Sequence, residues 1–205
     1  MTPIPAAPMS AGWWCWVGPW GRLLAGGLLV GFLSSSAGAE SPAVTSLLKS
    51  LELRGYPSGT TPPLFSGHTL EARRVSIADL GGKVLLINFW ASWCRECRPE
   101  MPALERLHRE FAPRGLAVVG INAREDREAV RRYAKDLDLT FSLVLDPDGK
   151  INAAYGVVGL PTTFVVGRDG RAVALAVGPR EWESAPARAI IETLLAEPVP
   201  LPGGR

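Results

Sequence analysis

Val84-Leu85-Leu86-Ile87-Asn88-Phe89-Trp90-Ala91-Ser92-Trp93-Cys94-Arg95-Glu96-Cys97 is the stretch from which the rest of the chain is best read. Gly81-Gly82-Lys83 turns the chain into a run, Val84 to Trp90, that is apolar except for Asn88. A short apolar run bounded by glycines, without alternation, is the pattern of a strand covered on both faces. After it, Met101, Leu104, Leu107 and Phe111 recur every three to four residues, which predicts a helix running from the Cys94 motif to about Phe111. Pro99 fits a first helical turn, where its missing N–H has no partner anyway. Pro102 is less comfortable there and predicts a kink.

Working outward, strand and helix patterns alternate. Leu116 to Ile121 reads as a second buried strand, Asp126 to Leu137 as a helix, and Phe141 to Leu145 as a third strand closed by Asp146-Pro147-Asp148-Gly149. A short helix from Lys150 to Tyr155 leads to Gly159-Leu160-Pro161. Thr163–Val166 and Ala172–Ala176 then form a hairpin around Gly167-Arg168-Asp169-Gly170, and a last helix runs from about Glu181 to Leu195. Upstream, His68 to Leu80 suggests a short hairpin. Val44 to Leu53 has an amphipathic helical pattern that glycines and prolines then break, so residues 40–66 read as a loose lead-in. The Pro-rich end, 197–205, reads as a disordered tail. The expected fold class is α/β: a central mixed sheet flanked by helices on both faces.

Of the 205 residues, 47% are apolar and 20% charged, an ordinary globular balance sufficient for one well-filled core. A formal charge of +2 with scattered Lys and Arg argues against nucleic acid as a partner; the Arg73-Arg74 and Arg131-Arg132 doublets read as solvated surface. Residues 1–39 differ. They hold no Asp, Glu or Lys and a single Arg22, but four of the seven tryptophans. After Arg22 comes an apolar run, Leu23 to Leu33, then three serines and Ala37-Gly38-Ala39 before Glu40. This reads as a secretory signal peptide cleaved after Ala39. The alternative is an uncleaved membrane tether through residues 13–33, against which four glycines between positions 21 and 31 weigh. Either reading places the remainder outside the cytoplasm, in the periplasm or at the outer face of the cytoplasmic membrane.

Three cysteines are an odd count, but Cys15 lies inside the export segment. Cleavage leaves Cys94 and Cys97, whose disulfide would close a four-residue loop and remove little unfolded-chain entropy. In an oxidising compartment such a lone pair reads as redox chemistry. A structural zinc site needs four ligands, and only His68 and His108 accompany the cysteines, at no zinc-like spacing, so no metal is expected. No cofactor is called for.

If Cys94 opens the helix, unpaired N–H groups and the positive helix end face its sulfur and favour the thiolate. Arg95 and Arg98 add positive charge and Glu96 opposes them. Cys97, three residues on, can reach Cys94 but lies deeper. This is an attacking thiol with a resolving partner, exchanging through a mixed disulfide. Glu100 can share the helix face of Cys97 and take its proton; the spacing equally allows a solvated first-turn glutamate.

The string from Asn88 to Pro102 resembles the active-site segment of thioredoxin-like proteins, and most closely the TlpA/ResA branch of exported, usually membrane-tethered reductases. Gly159-Leu160-Pro161-Thr162-Thr163-Phe164 resembles the second motif of that family, and the similarity covers about Leu64 to Leu195. The resemblance implies a thioredoxin-like domain over residues 67–196, with an N-terminal hairpin and a central insertion at Asp126–Tyr155. It implies Cys94 as exposed nucleophile, Cys97 as resolving thiol and Glu100 as the acidic residue that tunes them. It also implies a substrate surface of Trp93, Leu160 and Pro161, with Pro161 cis although few X-Pro bonds are. The chain departs from the family in placing Glu96, where proline is common, before the second cysteine. It also has Asn88 where thioredoxin has a buried Asp, which strengthens the case for Glu100.

The expected function is reduction of disulfides in exported proteins, of the cytochrome c or copper-oxidase maturation type, with a membrane electron donor as reductant implied by the resemblance. Alternatives are a broad thiol oxidant, a copper-binding module needing His68 or His108 beside the cysteines, and a peroxidase. The last would want a threonine upstream of its cysteine, where Trp90 to Trp93 stand.

Overall fold

The computed structural model describes residues 42–199; the expectations for the export segment and for the end of the tail lie outside these residues. In chain order the elements are α1 (Pro42–Ser50), β1 (Arg54–Gly55), β2 (Ser66–Thr69), β3 (Arg74–Ser76), β4 (Val84–Trp90), α2 (Met101–Phe111), β5 (Leu116–Ala123), α3 (Arg127–Asp136), β6 (Ser142–Asp146), α4 (Lys150–Ala154), β7 (Thr162–Val166), β8 (Ala172–Val177) and α5 (Ala185–Ala196).

The strands form one mixed sheet in the order β1-β8-β7-β4-β5-β6-β2-β3. β4, every residue of it buried, is the expected strand covered on both faces, and it lies parallel to β5 on one side and antiparallel to β7 on the other. Its side chains alternate between two cores. Val84, Leu86 and Trp90 join apolar residues of α1, α2, α3 and α5, while Leu85, Ile87 and Phe89 join Phe65, Val75, Ile151, Tyr155 and Phe164. Each large side chain so buried stabilises the fold by roughly 1.5–3 kcal/mol. Gly120 stands within β5, where a Cβ would lie 2.8 Å from Trp90 Nε1 and 3.0 Å from Leu143 Cδ2; the indole needs that space. The fold class is therefore the expected thioredoxin-like α/β sheet, hairpin β2–β3 included.

Three local expectations change. First, α2 begins at Met101 rather than at the cysteine motif. Residues 94–100 form successive turns instead, with Cys97 N–H donating to Cys94 O (3.2 Å) and Glu100 N–H to Cys97 O (3.2 Å). Pro99 and Pro102 lack the N–H groups that a helical ladder through this stretch would require. Pro102 consequently sits in the first turn of α2, where proline is tolerated, and produces no kink. Second, α5 starts at Ala185, not near Glu181, with Ser184 at its N-cap position. Third, residues 42–66, read as part of a loose lead-in, are fastened to the fold: α1 packs on α5, β1 pairs with β8, Tyr56 stacks on Phe164, and Pro63 O accepts the Tyr155 hydroxyl (2.7 Å). A two-residue strand containing glycine carries no periodicity from which to read it.

The central insertion is fixed by its own caps. Asp126 accepts Ala129 N–H (2.8 Å) at the head of α3, and Asp146 accepts Asn152 N–H (2.9 Å) and Ile151 N–H (3.2 Å) at the head of α4.

Candidate active site

Topology brings both sequence motifs to one end of the sheet. β4 ends at Trp90, four residues before Cys94, and pairs antiparallel with β7 so that Phe89 faces Thr162, the residue after Pro161. Cys94 and Cys97 are joined by a disulfide with their Cα atoms 5.3 Å apart. Cys97 is fully buried and Cys94 is 7% exposed, so the order of access is as expected, although Cys94 is far less open than a free nucleophile. The Cys97 N–H points at Cys94 Sγ (3.1 Å), so the turn itself aims a backbone donor at that sulfur. Arg95, Glu96 and Arg98 are exposed, and the Arg98 guanidinium lies over the Tyr133 ring, 5.3 Å from its centroid.

The loop between β4 and Cys94 is held by a carboxylate. Glu125 accepts the Ser92 N–H (2.7 Å), the Ser92 hydroxyl and the Asn122 amide (2.7 Å), while Asn122 stands opposite Trp90 in the β4–β5 register. Trp93, next in the loop, is 67% exposed. The Leu160–Pro161 peptide bond is cis, as the motif implies. Leu160 is half-buried, Pro161 is buried, and Pro161 O accepts Gly178 N–H (2.9 Å). Val158, just ahead of this turn, and Val177, paired with Thr162, are also exposed, so this end of the sheet presents apolar side chains to solvent.

Glu100 is 3% exposed and is no solvated first-turn residue. Its Oε1 accepts from Asn88 Nδ2 (2.7 Å); its Oε2 accepts from Arg180 N–H (3.3 Å) and from the Trp182 indole (3.2 Å). Burial pushes its pKa from 4.5 up to about 7, because these hydrogen bonds only partly offset the loss of water. The second hydrogen of Asn88 Nδ2 goes to Thr163 Oγ1 (3.0 Å), tying the carboxylate to β7 beside the cis proline. Asn88 thus holds an acid where it might have been one. Sequence reasoning missed Arg180 and Trp182, and with them the loop after β8; the contact spans some eighty residues, and the only signal was a lone tryptophan in a stretch assigned to a helix. It missed Glu125 for the same reason.

His68 lies on β2 and His108 on α2, its ring against Phe141, and among the described residues no group of three or more His, Cys, Asp or Glu side chains could hold a metal ion.

Comparison with known proteins agrees with this geometry. The AhpC/TSA family model matches residues 59–174. The chain is 44% identical over 119 residues to the thioredoxin-like protein YneN of Bacillus subtilis, covering 57% of this chain and 69% of that one. It is 34% identical over 115 residues to the thiol-disulfide oxidoreductase ResA of Bacillus thuringiensis, covering 56% and 66%. These matches span about two thirds of each relative's own length. Among solved structures, a thiol:disulfide interchange protein of the thioredoxin family from Chlorobium tepidum superposes with a TM-score of 0.62 at 30% identity, covering 68% of this chain and 99% of that one. Sequence, fold and the placement of the disulfide therefore converge, and the chain belongs to the AhpC/TSA family of thioredoxin-like proteins as a thiol–disulfide oxidoreductase of the ResA type.

Proposed function

We propose that this protein is an exported protein-disulfide reductase in which Cys94 is the nucleophile, Cys97 the resolving thiol and Glu100 the proton acceptor. The observation that carries the reading is the buried Glu100 carboxyl, with a pKa of about 7, three residues beyond the buried half of the disulfide. A general base works best when its pKa lies near the working pH. In the reduced protein the Cys94 thiolate attacks one sulfur of a substrate disulfide, forming a mixed disulfide and releasing one substrate thiolate. Cys97 then gives its proton to Glu100, and its thiolate attacks Cys94 sulfur. The second substrate thiolate leaves and the Cys94–Cys97 disulfide forms. The substrate gains two electrons and the protein loses two. A membrane electron donor returns them through the reverse exchange.

The exposed Trp93 ring and the half-buried Leu160 support an apolar docking face for an unfolded or extended segment, with the backbone before the cis Pro161 open to pair with it. Export rests on residues 1–39, and the tether on residues 13–33. Substrates of the cytochrome c or copper-oxidase maturation type follow from likeness to ResA alone. Glu96 keeps a second reading in play, a broad thiol oxidant, because a carboxylate between the cysteines changes the relative stability of the thiolates.

A Cys97→Ala protein tests the central claim: it should accumulate mixed disulfides with exported substrates, recoverable by mass spectrometry. A protein that traps nothing, while Cys94→Ala behaves identically, would remove the assignment. The reduction potential separates the directions of electron flow. A value close to about −270 mV supports a reductase, and one close to about −120 mV an oxidant.

A further inference from the structure

A cavity of about 570 Å³ opens over Glu100, between the end of α1, the start of α2 and the loop of residues 179–186. Leu51, Glu52, Ala103, Arg180 and Trp182 are in its wall, and none of Cys94, Trp93, Leu160 or Pro161 is. The face of Glu100 turned away from the substrate end is therefore built by the far end of the chain and by the segment that leads into the fold.

One residue joins those two segments. The Arg180 guanidinium donates from Nε to Leu51 O (2.8 Å), from Nη2 to Glu52 O (3.1 Å) and from Nη1 to Pro179 O (2.8 Å). Leu51 and Glu52 directly follow α1, so a fixed positive charge closes the carbonyl end of that helix, where the dipole favours it. Glu52 itself stands at φ +53°, a left-handed conformation that non-glycine residues seldom adopt without support. The backbone of the same Arg180 donates to Glu100 Oε2, and Trp182, two residues on, donates its indole N–H to the same oxygen.

We propose that Arg180 is a positioning residue of the exchange reaction: by pinning the loop after β8 to the end of α1, it holds two of the three donors that face Glu100. The proposal rests on the reading of Glu100 as proton acceptor for Cys97. The charged and titratable groups around Glu100 are Cys97 in the turns before α2, Arg106 on α2, Glu52 after α1, Arg180, Glu181 and Glu183 in the loop, and Tyr133 on α3. Arg106 is engaged with Glu183, which leaves Arg180 as the cation coupled to Glu100. Loosening the loop withdraws hydrogen bonds and positive charge from the ionised carboxylate, so Glu100 should hold its own proton to higher pH, and less of it is ionised at neutral pH to take the proton of Cys97.

The test is a single-turnover reaction of the reduced full chain with a chromogenic aromatic disulfide, followed across pH 5–9. Release of the first thiolate reports attack by Cys94, and release of the second reports resolution by Cys97. In Arg180→Ala the first phase should stay within about twofold of wild type. The second should slow several-fold at neutral pH, its midpoint moving up by as much as one pH unit, about tenfold in proton affinity. Arg180→Lys, which keeps a charged donor, should recover part of the shift, and Trp182→Phe should reproduce it with Arg180 in place. Should Arg180→Ala fail to fold, Trp182→Phe, which removes one donor to Glu100 Oε2 and keeps an aromatic side chain in the core, must shift the midpoint in the same direction. An unmoved midpoint in the folded variants overturns the proposal, as does equal slowing of both phases. A Glu100→Gln protein with a wild-type second phase would instead remove the underlying reading of Glu100.

Discussion

Two glutamates five residues apart, Glu100 and Glu105, are both almost fully buried and behave in opposite ways. Glu105, on α2, faces the connection between α3 and β6. It accepts from Arg109 Nε (2.5 Å), Thr140 N–H (2.7 Å), the Thr140 hydroxyl (2.5 Å) and Phe141 N–H (3.4 Å). Burial alone would raise its pKa, but these donors, one of them a guanidinium, more than compensate and hold the carboxyl below its ordinary range. Glu100 has three neutral donors, two of them beyond 3.1 Å, and burial prevails. The lesson is that depth does not decide what a buried carboxylate does; the number, distance and charge of its donors do. At Glu105 the charge is secured and the side chain fastens α2 to the sheet. At Glu100 it is left poised, able to gain and lose a proton near neutrality.

The comparison can be tested from both sides. The largest effect should come from Glu105→Ala, which takes the acceptor from Thr140 N–H and from the buried Phe141 N–H and leaves Arg109 without its buried partner. It should lower the unfolding free energy by about 3 kcal/mol while leaving the thiol chemistry of the folded fraction unchanged; a denaturant titration and a turnover assay on the same sample measure both. A pH profile in the second step displaced by this variant would erase the distinction between the two sites.

Comparable in size is a pH dependence of stability that belongs to Glu100. Its folded pKa lies above its unfolded value, so its favourable contribution is complete below about pH 4.5 and is lost as pH rises through about 7. The loss is on the order of 3 kcal/mol, at roughly 1.4 kcal/mol for each pH unit between the two values. Glu100→Gln should therefore remove this slope, seen in urea midpoints taken from pH 4 to 8. Glu105 has the opposite sign: its contribution is present above the unfolded pKa and fades as pH falls through its lower folded one.

In the reaction, Glu100→Gln should slow resolution of the mixed disulfide by about a hundredfold at neutral pH and leave the first attack by Cys94 near its original rate. Stopped-flow release of the two thiolates separates these phases. The smallest effect should follow Asn88→Ala, which removes the shortest donor to Glu100. The midpoint of the second phase should rise by about one pH unit, about 1.4 kcal/mol. A downward shift would mean that Asn88 does not favour the ionised carboxylate.

Much of this was legible from residues alone. The unalternating run Val84–Trp90 reads as a strand covered on both faces, and every residue of β4 is buried. The cysteine count, with Cys15 set aside, points to exchange chemistry without reference to the fold. Glu100 was legible only as a possibility, because spacing puts a carboxylate near Cys97 without saying whether water reaches it. The prolines at 99 and 102 read as a first-turn residue and a kink in one long helix, and the structure differs. A ladder lacking two N–H groups resolves into turns over residues 94–100, and the helix starts at Met101 with Pro102 in its first turn. The pairing of residues 54–55 with β8 was not legible, since a two-residue strand set between turns has no period to detect.

What the sequence by itself determined is therefore the set of elements and the pair of thiols: hydrophobic periodicity and turn residues are local, and two cysteines separated by two residues can close only one loop. What the tertiary structure alone decided is the chemistry of the acid beside them. The proton affinity of Glu100 depends on the absence of water and on donors from Asn88, Arg180 and Trp182, which lie 12, 80 and 82 positions away and meet only when β4, α2 and the loop after β8 pack together. Electrostatic environment is set by distance in space, and no local pattern of residues encodes it.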